Sequence, residues 1–169
     1  ETCDWSISDM QHDNGGFSST IDADSEGKEG KYYVWSDNEL NKLLNDNELD
    51  VFRKVYIAYD KPNFESNYHL HIMQNNIKEF NDSSSVIEDI LVKLKKHRST
   101  RIPPGTDTKI LTSWNCLMII GLLDTYKITN EIKYFESASK SFEFIKKELW
   151  DGDNLYACYH EQPEFRAYL

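Results

Sequence analysis

Ile110-Leu-Thr-Ser-Trp-Asn-Cys-Leu-Met-Ile-Ile-Gly-Leu-Leu123 decides the fold class of this chain. It is apolar on nearly every helical face, and a helix without a polar side belongs inside a larger helical assembly. Its longest apolar run, Cys116 to Leu123, is far too short to cross a bilayer. The surrounding stretch Asp107 to Lys127 reads as the most buried helix. The rigid connector Arg101-Ile-Pro-Pro-Gly precedes it, and an amphipathic helix over Asn130 to Leu149 follows, with Ile132, Phe135, Ala138, Phe142 and Ile145 on one side.

Further out, Ser85 and Glu88 form a capping-box pattern ahead of a helix whose apolar face is Ile87, Ile90, Leu91 and Leu94. Ser36 and Glu39 repeat the pattern, predicting a helix from Asp37 to about Asn45, with a second over Glu48 to Ile57. Pro62 to His71 reads as irregular. Asp4 to His12 reads as a helix stopped by Asn14-Gly15-Gly16. Two β-prone runs, Phe17 to Ile21 and Lys31 to Trp35, predict a hairpin with a long charged tip, and Leu155 to Tyr159 predicts a strand after the Asp151-Gly152 turn. Antiparallel helices with hairpins in their connections point to a mainly α architecture, a partial (α/α)6 toroid. About five helices cannot close a ring of twelve, and there is no initiating Met. Residues 1–169 are therefore expected to be a single domain, a central fragment of such a barrel.

Composition narrows the function. Aromatic residues make up 13% of the chain, which argues against disorder. Nineteen basic against twenty-nine acidic residues give a formal charge of −10, which repels nucleic acid and anionic membranes alike. Cys3, Cys116 and Cys158 are odd in number and widely spaced, so free thiols in a reducing, cytoplasmic setting are expected. No signal peptide is visible at the start of the chain.

The candidate chemistry sits first in the acidic tip, Asp22-Ala-Asp-Ser-Glu-Gly27. Its opening imitates an EF-hand loop, but the twelfth position is Tyr33 where a bidentate Glu is needed. A looser cation site, turn-capping carboxylates paired with Lys28 and Lys31, and a pair of general acid–base groups remain as readings. His69 and His71 would point the same way on a strand. No metal site or cofactor is expected. Asp107 suits the positive end of the helix that follows. Asn115, among apolar neighbours, must find hydrogen-bond partners, either to specify the fold or to hold a substrate, and Trp114 is core or a stacking surface.

Three stretches carry a resemblance. Trp5 to Trp35, then Asn63-Phe-Glu65 with Leu70-His71, then Arg101, Pro104, Asp107, Lys109 and Leu111-Thr-Ser-Trp-Asn115 resemble, in order, segments of the YyaL-like family, the spermatogenesis-associated, thioredoxin-domain-containing group. The pattern departs at Thr108 (Asp in the family), Cys116 (Gly) and Pro62 (Gly). The resemblance implies an N-terminal thioredoxin-like domain, absent from these residues. It also implies a barrel similar to N-acylglucosamine 2-epimerases and six-hairpin glycosidases. The expected function is then a sugar epimerase- or hydrolase-like site binding a carbohydrate. Asp22, Asp24 and His71 would act as acid–base groups, and Glu26, Arg101, Asp107, Trp114 and Asn115 as substrate contacts. The rival readings are a non-enzymatic scaffold serving the thioredoxin-like domain and a cation-binding module at the acidic loop. A fragment of a ring is also expected to self-associate through its uncovered helices.

Overall fold

The structure, a computed structural model, describes residues 1–56, 62–72 and 74–166. They form a largely helical chain with three small antiparallel sheets. The chain divides into two compact units, Glu1–Asp22 with Thr106–Leu169, and Ala23–Gly105.

In the first unit, α1 (Thr2–Met10) leads into β1 (Thr20–Ile21), which pairs with β4 (Thr106–Asp107). A second sheet runs in the order β5 (Ile110–Leu111), β6 (Tyr156–His160), β7 (Gln162–Arg166). Between β5 and β6 lies an antiparallel hairpin of two long helices, α6 (Thr112–Thr129) and α7 (Ile132–Glu148). Asn130 closes α6 in the left-handed conformation, φ 57°, a place where Asn is favoured over most side chains. Phe17, Leu122, Tyr134 and Ala138 form one core, with Ile110, Phe144, Ile145 and Leu149 forming another.

The apolar stripe predicted for α7 is displaced. The buried side carries Tyr134, Ser137, Ala138, Ser141, Phe144 and Ile145, whereas Ile132, Phe135 and Phe142 are exposed. Two serines go inside because each has a hydrogen-bond partner there: Ser137 donates to Gln11 Oε1 at 2.8 Å and Ser141 to the buried Asn115 Oδ1 at 3.2 Å. Asp107 is likewise not in the first turn of α6; it sits on β4, five residues before Thr112.

In the second unit, β2 (Asp24–Ser25) and β3 (Lys28–Glu29) form a two-residue hairpin. It is followed by α2 (Asp37–Leu43), α3 (Asp46–Tyr56), α4 (Ile77–Asp82) and α5 (Ser84–Arg98). Trp35, Leu40, Leu44, Phe52, Val55, Ile87, Ile90 and Leu94 build its core. The Ser36–Glu39 capping box forms as expected. The second box forms at a different place: Asn45 Oδ1 accepts from Glu48 N–H and Glu48 Oε2 from Asn45 N–H, both at 3.0 Å. At α5 the helix begins at Ser84, ahead of the expected cap, and its N-cap Ser83 makes no side-chain capping bond.

The long hairpin expected from 17–21 and 31–35 is replaced by the short one at 24–29. Thr20 and Ile21 take Asp107 and Thr106 as partners. Lys31–Val34 turns on itself, with Tyr33 and Val34 N–H both donating to Gly30 C=O. A strand is unnecessary there because a side chain supplies the missing donors to the Tyr32 and Val34 carbonyls.

Candidate functional site

That side chain is Arg101. Its guanidinium donates to the carbonyls of Tyr32 at 2.7 Å and Val34 at 2.9 Å, and to Glu39 Oε1 at 3.0 Å. Its carbon lies 4.1 Å from the centroid of the Trp35 ring. A planar, always-charged fork suits this combination of carbonyl, carboxylate and aromatic face, and an ammonium does not. One helical turn earlier, Arg98 sits 5.6 and 5.5 Å from the rings of Tyr32 and Tyr33. Partial burial works to raise the Glu39 pKa. Hydrogen bonds from the Ser36 backbone and hydroxyl, with the Arg101 charge, outweigh it and hold the carboxyl below its usual range.

The acidic tip is built against the same segment. Glu26 and Gly27 take φ of 53° and 71°, the left-handed pair that a type I′ two-residue turn requires, and Gly supplies the second at no steric cost. Ser25 is buried and donates to the Ile102 carbonyl at 2.6 Å. Glu26 pairs with Lys31 at 2.5 Å. Glu26 and Arg101 thereby line one open cavity of about 510 Å³. Tyr32 and Phe64 add ring surface, and Lys28, Glu65 and Asn67 add polar groups. Glu65 holds φ of 51°, uncommon for a non-glycine residue, in the tight turn closed by reciprocal Phe64–Asn67 backbone hydrogen bonds.

The other residues singled out in the sequence fall elsewhere. Asp22 and Asp24 are exposed and lie outside the cavity lining. His71 is exposed, stacks on His69 with ring centroids 6.1 Å apart, and does not line the cavity either. Asn63 organises that segment by accepting from His69 N–H at 2.7 Å and donating to His69 C=O at 2.9 Å. In the first unit, Asp107 accepts from Lys109 N–H at 3.1 Å and pairs with its ammonium at 3.0 Å; these bonds hold its pKa below the usual carboxylate range. Trp114 is half-exposed on α6.

Asn115 is fully buried and its hydrogen-bonding groups are used within the fold. Oδ1 accepts from Phe17 N–H at 2.7 Å and from Ser141; Nδ2 donates to Phe17 C=O at 3.1 Å and Leu111 C=O at 3.0 Å. Of the two roles open to it, fold specification is the one this geometry describes.

Sequence reasoning overlooked Lys31, Tyr32, Phe64, Glu65 and Asn67 as lining residues. A signal for two of them was available in the Asn63-Phe-Glu65 tripeptide. Among the described residues, no three His, Cys, Asp or Glu side chains gather as a metal site, and no helix is long and apolar enough to cross a membrane.

No family model matches the chain. It is 31% identical to an uncharacterized protein of Caenorhabditis elegans, over an alignment of 176 residues covering 86% of this chain and 24% of that protein. To spermatogenesis-associated protein 20 of Homo sapiens and of Mus musculus it is 25% and 26% identical over 185 residues, 89% of this chain. The chain spans about a quarter of the length of these curated relatives. It is thus a homologue, over most of its own length, of one part of proteins named spermatogenesis-associated protein 20.

Proposed function

We propose that the second unit binds a small polyhydroxylated ligand of the sugar type in the cavity shared by Glu26 and Arg101. One observation carries this reading. Two groups chosen from distant parts of the sequence for substrate contact line one concave surface, together with two aromatic rings and both signs of charge. A sugar presents an apolar ring face and many hydroxyls that donate and accept, and that lining offers a counterpart to each. In this reading Arg101 shapes the cleft by fixing the 32–34 backbone and Glu39, leaving Glu26, Glu65 and Asn67 to meet the ligand. The proposed reaction class is epimerase- or hydrolase-like. Acid–base roles for Asp22, Asp24 and His71 belong to the proposal, and Glu26 and Glu65 are the carboxylates on the cavity wall to test beside them. A toroidal context and a cytoplasmic setting are part of the same reading, supported by the α6–α7 hairpin and the free thiols.

The test is titration calorimetry with a panel of neutral and N-acetylated monosaccharides. Binding that disappears in Tyr32→Ala and Glu65→Gln, both still folded, is expected. Silence across the panel refutes the reading.

A second reading is an interaction domain, with a thioredoxin-like domain as the proposed partner. The observation favouring it is the first unit's bare apolar surface: Trp114, Leu117 and Ile120 on α6 and Phe135 and Phe142 on α7 are all exposed.

A further inference from the structure

Asn14 is the one asparagine of thirteen that a glycine follows. A glycine carries no side chain to screen its own amide nitrogen, so that nitrogen can reach the side-chain carbonyl carbon of the residue before it. In the first unit the turn at Asn14 brings those groups together. Asn14 is exposed, and its Oδ1 accepts from Gly16 N–H at 3.0 Å. That bond closes a ring containing the Gly15 amide, so Cγ is folded back toward the Gly15 nitrogen. The same N–H polarises the carbonyl and is already aimed at the oxygen on which negative charge builds under attack. Nδ2, the group that has to leave, makes no hydrogen bond among the described residues. The Gly15 N–H donates to the His12 carbonyl at 2.9 Å, a single turn bond on the surface loop.

The chain holds its own control. Asp151 is the one aspartate followed by glycine, and Gly152 takes a φ of 101° against 102° at Gly15. There the side chain is occupied. Asp151 Oδ1 accepts from Asp153 and Asn154 N–H at 2.9 and 2.7 Å, and Oδ2 from the Tyr156 hydroxyl at 3.1 Å. These bonds, those from the two backbone amides first, hold the Asp151 pKa down at about 2. It stays an anion, which a neighbouring amide nitrogen does not attack.

We propose that Asn14 is a spontaneous modification site, where the folded chain converts its own asparagine to aspartate and isoaspartate through a cyclic imide. Hydroxide takes the Gly15 amide proton and the nitrogen bonds to Asn14 Cγ. The Cγ–Nδ2 bond then breaks, and Nδ2 leaves as ammonia with a proton from water, which restores the hydroxide. Water opens the imide at either carbonyl, so one water is consumed for each ammonia released and nothing is oxidised or reduced. Both products add an anion beside Asp13 and Glu136, on the wall of an open cavity of about 620 Å³. Aspartate keeps an oxygen for the Gly16 N–H. Isoaspartate instead lengthens the main chain by one carbon where there is no room for one. A carbon added at Gly15 would lie 2.4 Å from the Lys140 carbonyl oxygen, and one at Gly16 2.5 Å from Ile110 Cδ1. Isoaspartate therefore loosens the loop from α7. The inference goes beyond the sugar-binding and interaction readings and depends on neither.

Incubation of the chain at mildly alkaline pH tests it, with circular dichroism confirming that the chain stays folded and mass spectrometric peptide mapping reading each position. A synthetic peptide of residues 10–20 serves as the unfolded reference. A one-dalton gain is expected at Asn14 before any other asparagine, at a rate within tenfold of the peptide's and rising with pH, while Asp151 remains aspartate. Asn14→Gln, whose longer side chain would have to close a larger ring, should silence the gain. The aged chain should melt below an Asn14→Asp variant, because only the aged chain contains isoaspartate. An Asn14 converted more than tenfold more slowly than in the peptide, an earlier gain at another asparagine, or isoaspartate forming at Asp151 as fast as at Asn14 overturns the proposal. An aged chain that melts with the Asn14→Asp variant overturns the loosening of the loop.

Discussion

Arg101→Lys keeps the charge at the cavity wall and removes only the geometry. The guanidinium serves two backbone carbonyls and a carboxylate at 2.7 to 3.0 Å while its carbon sits over the Trp35 ring. A lysine ammonium can keep one of these partners, most naturally Glu39, and forfeits the carbonyls of Tyr32 and Val34. Hydrogen bonds to a charged donor contribute about 1.5–3 kcal/mol each, with the lower end apt here because water can reach this partly open wall. The lost ring contact adds about 0.5–1 kcal/mol. The substitution should therefore cost roughly 3.5–4 kcal/mol, a large share of the ~5–15 kcal/mol typical of a domain. Chemical denaturation monitored by amide exchange across residues 23–105 reads it, and protection of Tyr33 to Trp35 should fall first. If stability stays within about 0.5 kcal/mol of the parent, as for an ordinary surface change, while sugar binding vanishes, Arg101 is a ligand contact and the brace reasoning is wrong.

Gly15→Ala should cost about 3 kcal/mol or more in a thermal melt, because φ is +102° and the new carbon would lie 2.4 Å from the Lys140 carbonyl oxygen; a loss under about 1 kcal/mol would contradict that contact. Ser25→Ala removes the donor to Ile102 C=O and should cost about 1–2 kcal/mol, with faster exchange across the 24–29 hairpin; unchanged exchange would show the tip is not anchored there. Glu39 has its pKa lowered in the fold, so its contribution is present above the unfolded value of about 4.3 and is lost as pH falls through the folded one. Glu39→Gln should accordingly flatten the acid limb of the stability curve below about pH 4.3, and an identical limb would refute the assignment. Asn115→Asp still accepts from Phe17 N–H but cannot donate to Phe17 C=O once ionised, and burial raises its folded pKa. The variant should come nearest to the parent's stability at about pH 4 and fall behind as pH rises, by about 3 kcal/mol at pH 7; a pH-independent difference would count against a buried carboxylate.

What the sequence made legible is what periodicity and caps encode. The Ser36–Glu39 box forms, and Ile87, Ile90 and Leu94 of the four-residue α5 face are buried, because one local rule governs each; Leu91, the fourth, is exposed. The α7 stripe went astray because hydrophobicity alone ranks Phe135 and Phe142 above Ser137 and Ser141. The serines are inside only because Gln11 and Asn115 meet them, and those partners are 126 and 26 residues away. The expected long hairpin failed for a related reason. β-propensity in Tyr32–Trp35 is real, but an arginine roughly seventy residues later satisfies the Tyr32 and Val34 carbonyls, and pairing is confined to a single antiparallel bridge between Trp35 and Tyr68. At the cavity, Glu26 and Arg101 could be named from charge and resemblance; Phe64 and Glu65 also lay in a resembling stretch, but what sets them on the wall is a turn whose φ of 51° no composition rule anticipates.

Apolar on nearly all sides, α6 gives hydrophobic burial little basis for choosing which flank turns inward. Polar groups make that choice. Thr112 donates to the Tyr156 carbonyl at 2.6 Å, and Asn115, one turn on, clasps both backbone groups of Phe17 while receiving Ser141. Rotating the helix by one residue's worth of arc would carry Asn115 off these partners and strand the Phe17 amide, costing about 1–3 kcal/mol for each buried group left unpaired. No comparable gain would come from exchanging one set of Leu and Ile for another. With Thr125 meeting the Cys3 thiol at 3.3 Å near the other end, the rotation of α6 is thus set by three hydrogen-bonding side chains in eighteen residues. Leu117, Ile120 and Ile128 are left on the outside because they lie opposite Asn115, not because they are less hydrophobic than what is buried.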